Sequence, residues 1–248
     1  MCCFSGRVES VTNTNIFARS AENGRQFLVY AMTMSAKEDL AMILPLPVPK
    51  GSAEDAVRFI SLKDYPDFFK DLNAGFPEPP GLRAEGLKDD AIPRSKSLKV
   101  VEVGHFEASF VPTVKDFDRL DARFRLPDAT WEKLPAYREF GFAVFKLKKG
   151  EKDVHPMAFE FPRADPKKLF FPTVHLHDGL VHPRARFDHA LFCQSRHDES
   201  LPLRNWEESP RVAIQFVKVD KTHGIVDMHR HCYRRVIRGD AKNEDVLL

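Results

Sequence analysis

The sequence predicts an α+β fold, built mainly from antiparallel sheet with a few short helices. Most of its apolar segments are short and rich in Val, Ile and Phe, which is typical of strands. The pair Asn23-Gly24 separates two such segments and is a preferred sequence for a two-residue hairpin turn. The predicted domain comprises residues 1–238, with a long loop at 78–97 and a flexible tail at 239–248.

The predicted strands run from the first hairpin to the C-terminal third of the chain. Residues 14–19 and 26–34 flank the Asn23-Gly24 turn. Further strands are predicted at 98–103, 106–111, 141–147, 157–161, 173–181 and 212–217. Because strands are predicted on both sides of the loop at 78–97, we expect one domain interrupted by a loop.

The predicted helices are fewer and shorter than the strands. They lie at 52–60, 65–72, 113–124 and 129–140. Ser52 is a favourable cap for the first of them and is followed by acidic residues. Pro135 is expected to divide the last one, because proline interrupts a helix interior.

The composition excludes several classes of protein. The chain has 248 residues and a net charge of +2, which is too close to neutral for a nucleic-acid-binding face. Its longest apolar run, at 40–45, is far shorter than the roughly 20 residues of a membrane span. No signal peptide is visible at the amino terminus, so we expect a cytoplasmic protein with reduced cysteines.

Two of the four cysteines, Cys2 and Cys3, stand at the amino terminus. Removal of Met1 would leave Cys2 with a free α-amine beside its thiol. An amine that titrates near pH 8 can act as the base for a thiol nucleophile. The alternatives are a soft-metal or redox role for the two sulfurs, or two small residues at a packed terminus.

A second candidate site is a histidine-rich hairpin. The pair Asp178-Gly179 favours a two-residue turn. That turn would place His175, His177 and His182 on one face, because paired residues and residues two apart share a face. Together with Cys3, these imidazoles could hold Zn, Cu or Fe. The alternative is an amphipathic hairpin with its polar face in solvent.

Two further groups carry weaker signals. His189 and Cys193 would share a face if their segment were helical, although a buried cysteine beside a surface histidine is the simpler interpretation. The basic segment 229–235 could bind an anion or supply ligands, and we expect it to be a solvated strand.

Parts of the sequence resemble a bacterial domain family of unknown function that has a cysteine-bearing amino terminus and an LPxPxP-like segment. The similar segments are 16–18, 27–33, 38–49, 137–147, 156–162 and 169–172. That resemblance implies no activity. The first twenty residues are also similar to N-terminal-cysteine amidohydrolases, which implies Cys2 as the nucleophile and Arg19 on the next strand as the residue that orients it or the substrate.

The leading hypothesis from the sequence is a cysteine-dependent amide-bond hydrolase or transferase, with Cys2 and Arg19 as catalytic residues. Its partner would be a small-molecule or peptide substrate rather than nucleic acid or a membrane. The first alternative is a transition-metal-binding protein or metalloenzyme that uses the histidine hairpin. The second alternative is a non-catalytic binding module.

Overall fold

The computed structural model describes residues 2–77, 101–103, 106–176, 182–195 and 201–248. Its strands are β1 (Cys2–Phe4), β2 (Ser10–Ser20), β3 (Arg25–Ala36), β4 (Leu40–Leu46), β5 (Arg58–Ser61), β6 (Val101–Val103), β7 (Phe106–Val111), β8 (Gly141–Leu147), β9 (Gly150–Pro162), β10 (Phe170–Phe171), β11 (His175–Leu176), β12 (Arg184–Gln194), β13 (Glu207–Val212), β14 (His231–Lys242) and β15 (Val246–Leu247). The α-helices are α1 (Phe68–Ala74) and α2 (Asp128–Glu132). The predicted loop at 78–97 lies outside the described residues.

The strands form two large sheets and one small one. The first sheet has the order β11-β1-β4-β8-β7-β6, and the second has the order β13-β14-β12-β2-β3-β9-β5. Strands β10 and β15 make a separate antiparallel pair. Most neighbours are antiparallel, and the exceptions among the described strands are the parallel pairs β1–β11 and β2–β12. The protein is therefore mainly sheet with few helices, as the sequence predicts.

The two large sheets pack face to face over the main apolar core. The first sheet contributes Met42 and Phe145, and the second contributes Ile16 and Leu28; all four side chains are buried in one cluster. Along β3 and β4, alternate residues enter this cluster, as a pleated backbone requires. The face between the sheets is called the inner face below.

Both outer faces are also covered. Phe17 and Val29 of the second sheet pack with Phe68 of α1 and with Ile225. The outer face of the first sheet packs against the short helices between 114 and 137, through residues that include Trp131. Among the described residues, no helix has the length and apolar character needed to cross a membrane.

The first hairpin confirms the clearest turn signal in the sequence. Strands β2 and β3 pair antiparallel, and Asn23 and Gly24 between them both have positive φ, at 54° and 70°. Positive φ at both central residues is what a turn between right-twisted strands needs, and Asn followed by Gly adopts it readily.

Two predicted elements were wrong. Residues 58–60 of the predicted helix 52–60 belong to β5, which pairs with β9 over four residues; across this pair the Arg58 guanidinium binds the buried Glu160 carboxylate at 2.6 Å. The predicted strand 212–217 is a strand at Val212 only. A 3₁₀ turn follows at Ala213–Gln215 and buries Ala213 against the second sheet.

The predicted helices at 113–124 and 129–140 are broken into shorter pieces. The first contains 3₁₀ turns at Val114–Arg119 and Ala122–Phe124. The second contains α2 and a 3₁₀ turn at Pro135–Tyr137. Pro135 begins that turn, so the division predicted at this proline is confirmed.

The C-terminal segment differs from the flexible tail that the sequence predicts at 239–248. Residues 239–242 complete β14, which pairs with β12, and Val246–Leu247 pairs with β10. Its side chains supply hydrogen bonds to the rest of the fold, and these are described with the site below.

Candidate functional site

The amino terminus is an interior strand of the first sheet. Strand β1 runs antiparallel to β4, with Cys3 opposite Ile43, and parallel to β11, with Cys2 opposite His175. The Ser5 hydroxyl accepts the Ala41 N–H at 2.9 Å and continues this attachment beyond the strand. Strand β1 is therefore held between two strands that lie far from it in sequence.

Alternation along β1 sends neighbouring side chains to opposite faces of the first sheet. Phe4 is buried in the core between the sheets. Cys3 has no exposed surface and lies on the outer face with Ile43 and Leu176. Cys3 is therefore buried in the apolar cluster on the outer face of the first sheet, which is called the outer cluster below.

The segment next to β1 is fixed by Asn243, which lies near the end of the chain. The Asn243 Oδ1 atom accepts the His175 N–H at 2.7 Å. Its Nδ2 donates to the carbonyl of His175 at 3.0 Å and to that of His182 at 2.9 Å. One amide side chain therefore holds both ends of the segment that leads from β11 to β12.

Asp245 fixes the approach to β11. Its Oδ1 accepts the N–H groups of Thr173 and Val174 at 2.8 and 3.0 Å, and its Oδ2 accepts the Tyr137 hydroxyl at 2.7 Å. Burial, followed by the nearby Asp245 carboxylate, raises the pKa of Tyr137 far above its usual value. Tyr137 therefore stays a hydrogen-bond donor. Asn243 and Asp245 are called the carboxy-terminal clamp below.

Two imidazoles meet across the sandwich beside the first residues. Leu176 is on the outer face of the first sheet, so His175 of the same strand faces inward. His189 is 2% exposed and shares the inner face of β12 with Leu191 and Cys193. The Nε2 atoms of His175 and His189 lie 3.3 Å apart, and the ring of Phe187 lies 4.5 Å from that of His175.

The predicted catalytic pair is not brought together on one face. Arg19 shares the outer face of the second sheet with Phe17, where it donates to the carbonyls of Ile225 and Gly224 at 2.7 and 2.5 Å. Its guanidinium lies over the ring of Phe27 at 5.1 Å. Cys2 belongs to the first sheet, on the other side of the second sheet from Arg19. The catalytic roles of Cys2 and Arg19 stay predictions.

The predicted metal ligands are separated as well. His175 faces the inner side of the first sheet and Cys3 the outer side, whereas the His182 side chain is exposed. His177 and the predicted turn lie within 177–181, outside the described residues. Within the described part of the chain, no three His, Cys, Asp or Glu side chains are grouped as a metal site.

The remaining cysteines among the described residues are buried and reduced. Cys193 and Cys232 have no exposed surface. Burial raises the pKa of the Cys232 thiol to about 12, partly offset by a hydrogen bond with Gln194. Such a thiol is a poor nucleophile near neutral pH. His189 and Cys193 do share a face, but on a strand rather than on a helix.

Two cavities open elsewhere on the molecule. One of about 520 Å³ is lined by Tyr137, Phe140, Phe170 and Leu247, beside the carboxy-terminal clamp. The other, of about 500 Å³, is more polar and contains Arg19. Asn243 and Asp245 of the clamp also line the first cavity.

The fold is similar to that of a known viral protein. No protein-family model matches the chain, and neither does any curated protein sequence. The crystal structure of baculovirus P35 matches with a TM-score of 0.51 and 14% sequence identity, over 100% of this chain and 99% of that one. The two chains therefore share a fold over their whole length.

Two further structures of the same viral protein show weaker likeness. A mutated baculovirus P35 after caspase cleavage matches with a TM-score of 0.46 and 13% identity, over 96% of this chain and 99% of that one. P35 in its complex with caspase-8 matches with a TM-score of 0.45 and 12% identity, over 96% and 95%. The resemblance to a bacterial family of unknown function stays a prediction.

The sequence gives little sign of three of the residues that build this site. Asn243 and Asp245 lie in a polar segment that lacks apolar periodicity, and His189 is expected at the surface. Their roles depend on contacts between residues that are distant in sequence. Asn243 binds His175 and Asp245 binds Thr173, both about 70 positions away. His189 lies 14 positions from its partner His175.

Proposed function

We propose that this chain is a non-catalytic protein that binds a caspase-type protease. The observation that carries the proposal is the shared fold with baculovirus P35 over the whole length of both chains. P35 has been crystallised in complex with caspase-8 and, as a mutant, after caspase cleavage. A chain that keeps this fold from end to end can present the same overall shape to the same class of partner.

The contacts of one predicted metal ligand, Cys3, and one predicted catalytic residue, Arg19, also fit a binding protein. Cys3 is enclosed in the outer cluster, and Arg19 is committed to the carbonyls of Gly224 and Ile225. Both residues stabilise the fold, as expected of a scaffold. The amino-terminal strand and the carboxy-terminal clamp join the two ends of the chain into one rigid region.

Titration of active caspase-8 with the purified protein tests this proposal. Residual activity on a small fluorogenic peptide is measured after incubation, and the intact mass of the chain is recorded at each point. We expect activity to fall to a minimum near one chain per active site. Unchanged caspase activity at about a tenfold molar excess of the chain over active sites would refute the proposal.

Two controls make the titration specific. Trypsin in place of caspase-8 should keep its activity, since nothing in the proposal concerns serine proteases. The same chain after denaturation should not inhibit caspase-8, because binding depends on the folded sandwich. If the denatured chain inhibits equally well, the fold is not responsible.

The second candidate function is the cysteine-dependent amide-bond chemistry predicted from the sequence. One observation favours it: β1 pairs with β11 so that the backbone of Cys2 is in register with that of His175, and a histidine is one of the residue types that activate a thiol nucleophile. Cys2→Ala and Cys3→Ala form a matched pair for its test. On amide substrates, Cys2→Ala should abolish turnover while Cys3→Ala retains it. Equal turnover by Cys2→Ala and the wild-type chain would exclude this chemistry.

A further inference from the structure

The inner-face imidazoles of His175 and His189 approach each other through their Nε2 edges. The Nε2 atoms are 3.3 Å apart, whereas the ring centres are 4.8 Å apart. The two rings come from different sheets and so form a bridge across the sandwich. We propose that this histidine pair binds one divalent transition-metal ion, with Zn²⁺ or Cu²⁺ as the best candidates.

The separation of the nitrogens matches what two imidazoles on one metal need. Two Zn–N bonds of about 2.0–2.1 Å that meet at a tetrahedral angle place the nitrogens about 3.3–3.4 Å apart. The observed Nε2–Nε2 distance of 3.3 Å meets this distance condition. A direct hydrogen bond between one protonated and one unprotonated Nε2 gives a similar distance, so the experiment must distinguish the two.

The surroundings favour a borderline or soft metal over Mg²⁺ or Ca²⁺. Imidazole nitrogens suit Zn²⁺, Cu²⁺ and Ni²⁺, whereas hard cations prefer oxygen ligands. The Phe187 ring lies 4.5 Å from the ring of His175 and 5.2 Å from that of His189, which restricts both rotamers. His175 is half-buried and His189 is 2% exposed, so an ion and its coordinating water would enter from the side of His175.

The backbone around His175 is fixed before any metal binds. Asn243 accepts the His175 N–H and donates to its carbonyl, so the carboxy-terminal clamp orients one ligand strand. His189 is fixed within β12 between β2 and β14. Ligands held on rigid elements lose less entropy when they bind a metal. This site does not depend on the proposed binding of a protease and shares only His175 with the predicted hairpin site.

Equilibrium dialysis of the full chain against ZnCl₂, after treatment with EDTA, tests the proposal. The variants are His175→Gln, His189→Leu and, as the matched control, His229→Gln at an exposed histidine. We expect the wild-type chain and His229→Gln to bind one more equivalent of Zn²⁺ than His175→Gln and His189→Leu. Loss of either ligand should weaken binding at least about tenfold, as much as loss of an outer-shell partner.

A second measurement keeps the test decisive if His189→Leu does not fold. His175 is half-buried, so His175→Gln is expected to fold, and its circular dichroism confirms this before dialysis. Cu²⁺ bound to the wild-type chain should show splitting by two nitrogens in electron paramagnetic resonance, reduced in His175→Gln. Equal metal uptake by the folded wild-type and His175→Gln chains would leave only the hydrogen bond and overturn the proposal.

Discussion

Gln26 provides the sharpest test of how the small C-terminal sheet is attached to the sandwich. Its side chain has no exposed surface. Its Nε2 donates to the Phe170 carbonyl at 2.7 Å, and its Oε1 accepts the Phe170 N–H at 3.0 Å. Leu169 and Leu248, which flank the paired strands β10 and β15, exchange two backbone hydrogen bonds. The polar groups of Phe170 therefore point away from β15 and are satisfied by Gln26.

Replacement of Gln26 by Leu keeps the side-chain volume similar and removes both hydrogen bonds. The N–H and carbonyl of Phe170, a residue that is 3% exposed, would stay buried without these partners. Each unsatisfied buried group costs about 1–3 kcal/mol, so we expect Gln26→Leu to lower the free energy of unfolding by about 2–6 kcal/mol. The gain in apolar burial from Leu offsets part of this loss.

Urea unfolding followed by fluorescence measures this effect. Gln215→Leu is the matched control, since Gln215 is exposed and should change stability by no more than about 0.5 kcal/mol. A loss below about 1 kcal/mol for Gln26→Leu, or one equal to that of the control, would refute the reasoning.

Other predictions concern the clamp and the buried thiols. Asp245→Ala removes three hydrogen bonds and should lower the free energy of unfolding by about 2–4 kcal/mol, with faster amide exchange at Thr173 and Val174; Asp245→Asn should recover part of both, and unchanged exchange would contradict the role of the clamp. Cys232 should not react with a thiol reagent at pH 8 until the chain unfolds. Because its pKa rises from 9.0 to about 12 on folding, the unfolded chain loses this proton first. The stability that this thiol contributes is complete below pH 9 and is lost as the pH rises to 12, by about 1.4 kcal/mol per pH unit. Cys232→Ala should remove that part of the slope, and an identical pH dependence in the variant would contradict the burial of the thiol.

Local signals in the sequence predicted the parts of the fold that depend on neighbouring residues. Asn23-Gly24 defined the first hairpin, and the apolar segment 141–147 coincides with β8. The helix predicted at 52–60 was wrong over residues 58–60, because they pair with the distant strand β9, and Arg58 binds Glu160 across that pair. Such a contact overrides local propensity and leaves no mark within the segment itself.

The candidate site was predicted only in part. The cysteines at the amino terminus and His175 are recognisable from residue type, but their pairing joins strands 173 positions apart in a parallel register. Loop lengths and spacing contain no information on such a pairing. His189 was missed because its burial follows from the packing of β12 against the first sheet, and the sequence pattern around it favours a surface position.

The molar mass of a mixture of the chain with active caspase-8 tests the proposed function most directly. After size-exclusion chromatography with light scattering, we predict a stable complex with one chain per caspase active site, from which neither protein dissociates on the column. If the chain and caspase-8 elute separately with their own masses, and caspase-8 keeps its full activity, the shared fold does not extend to a shared partner.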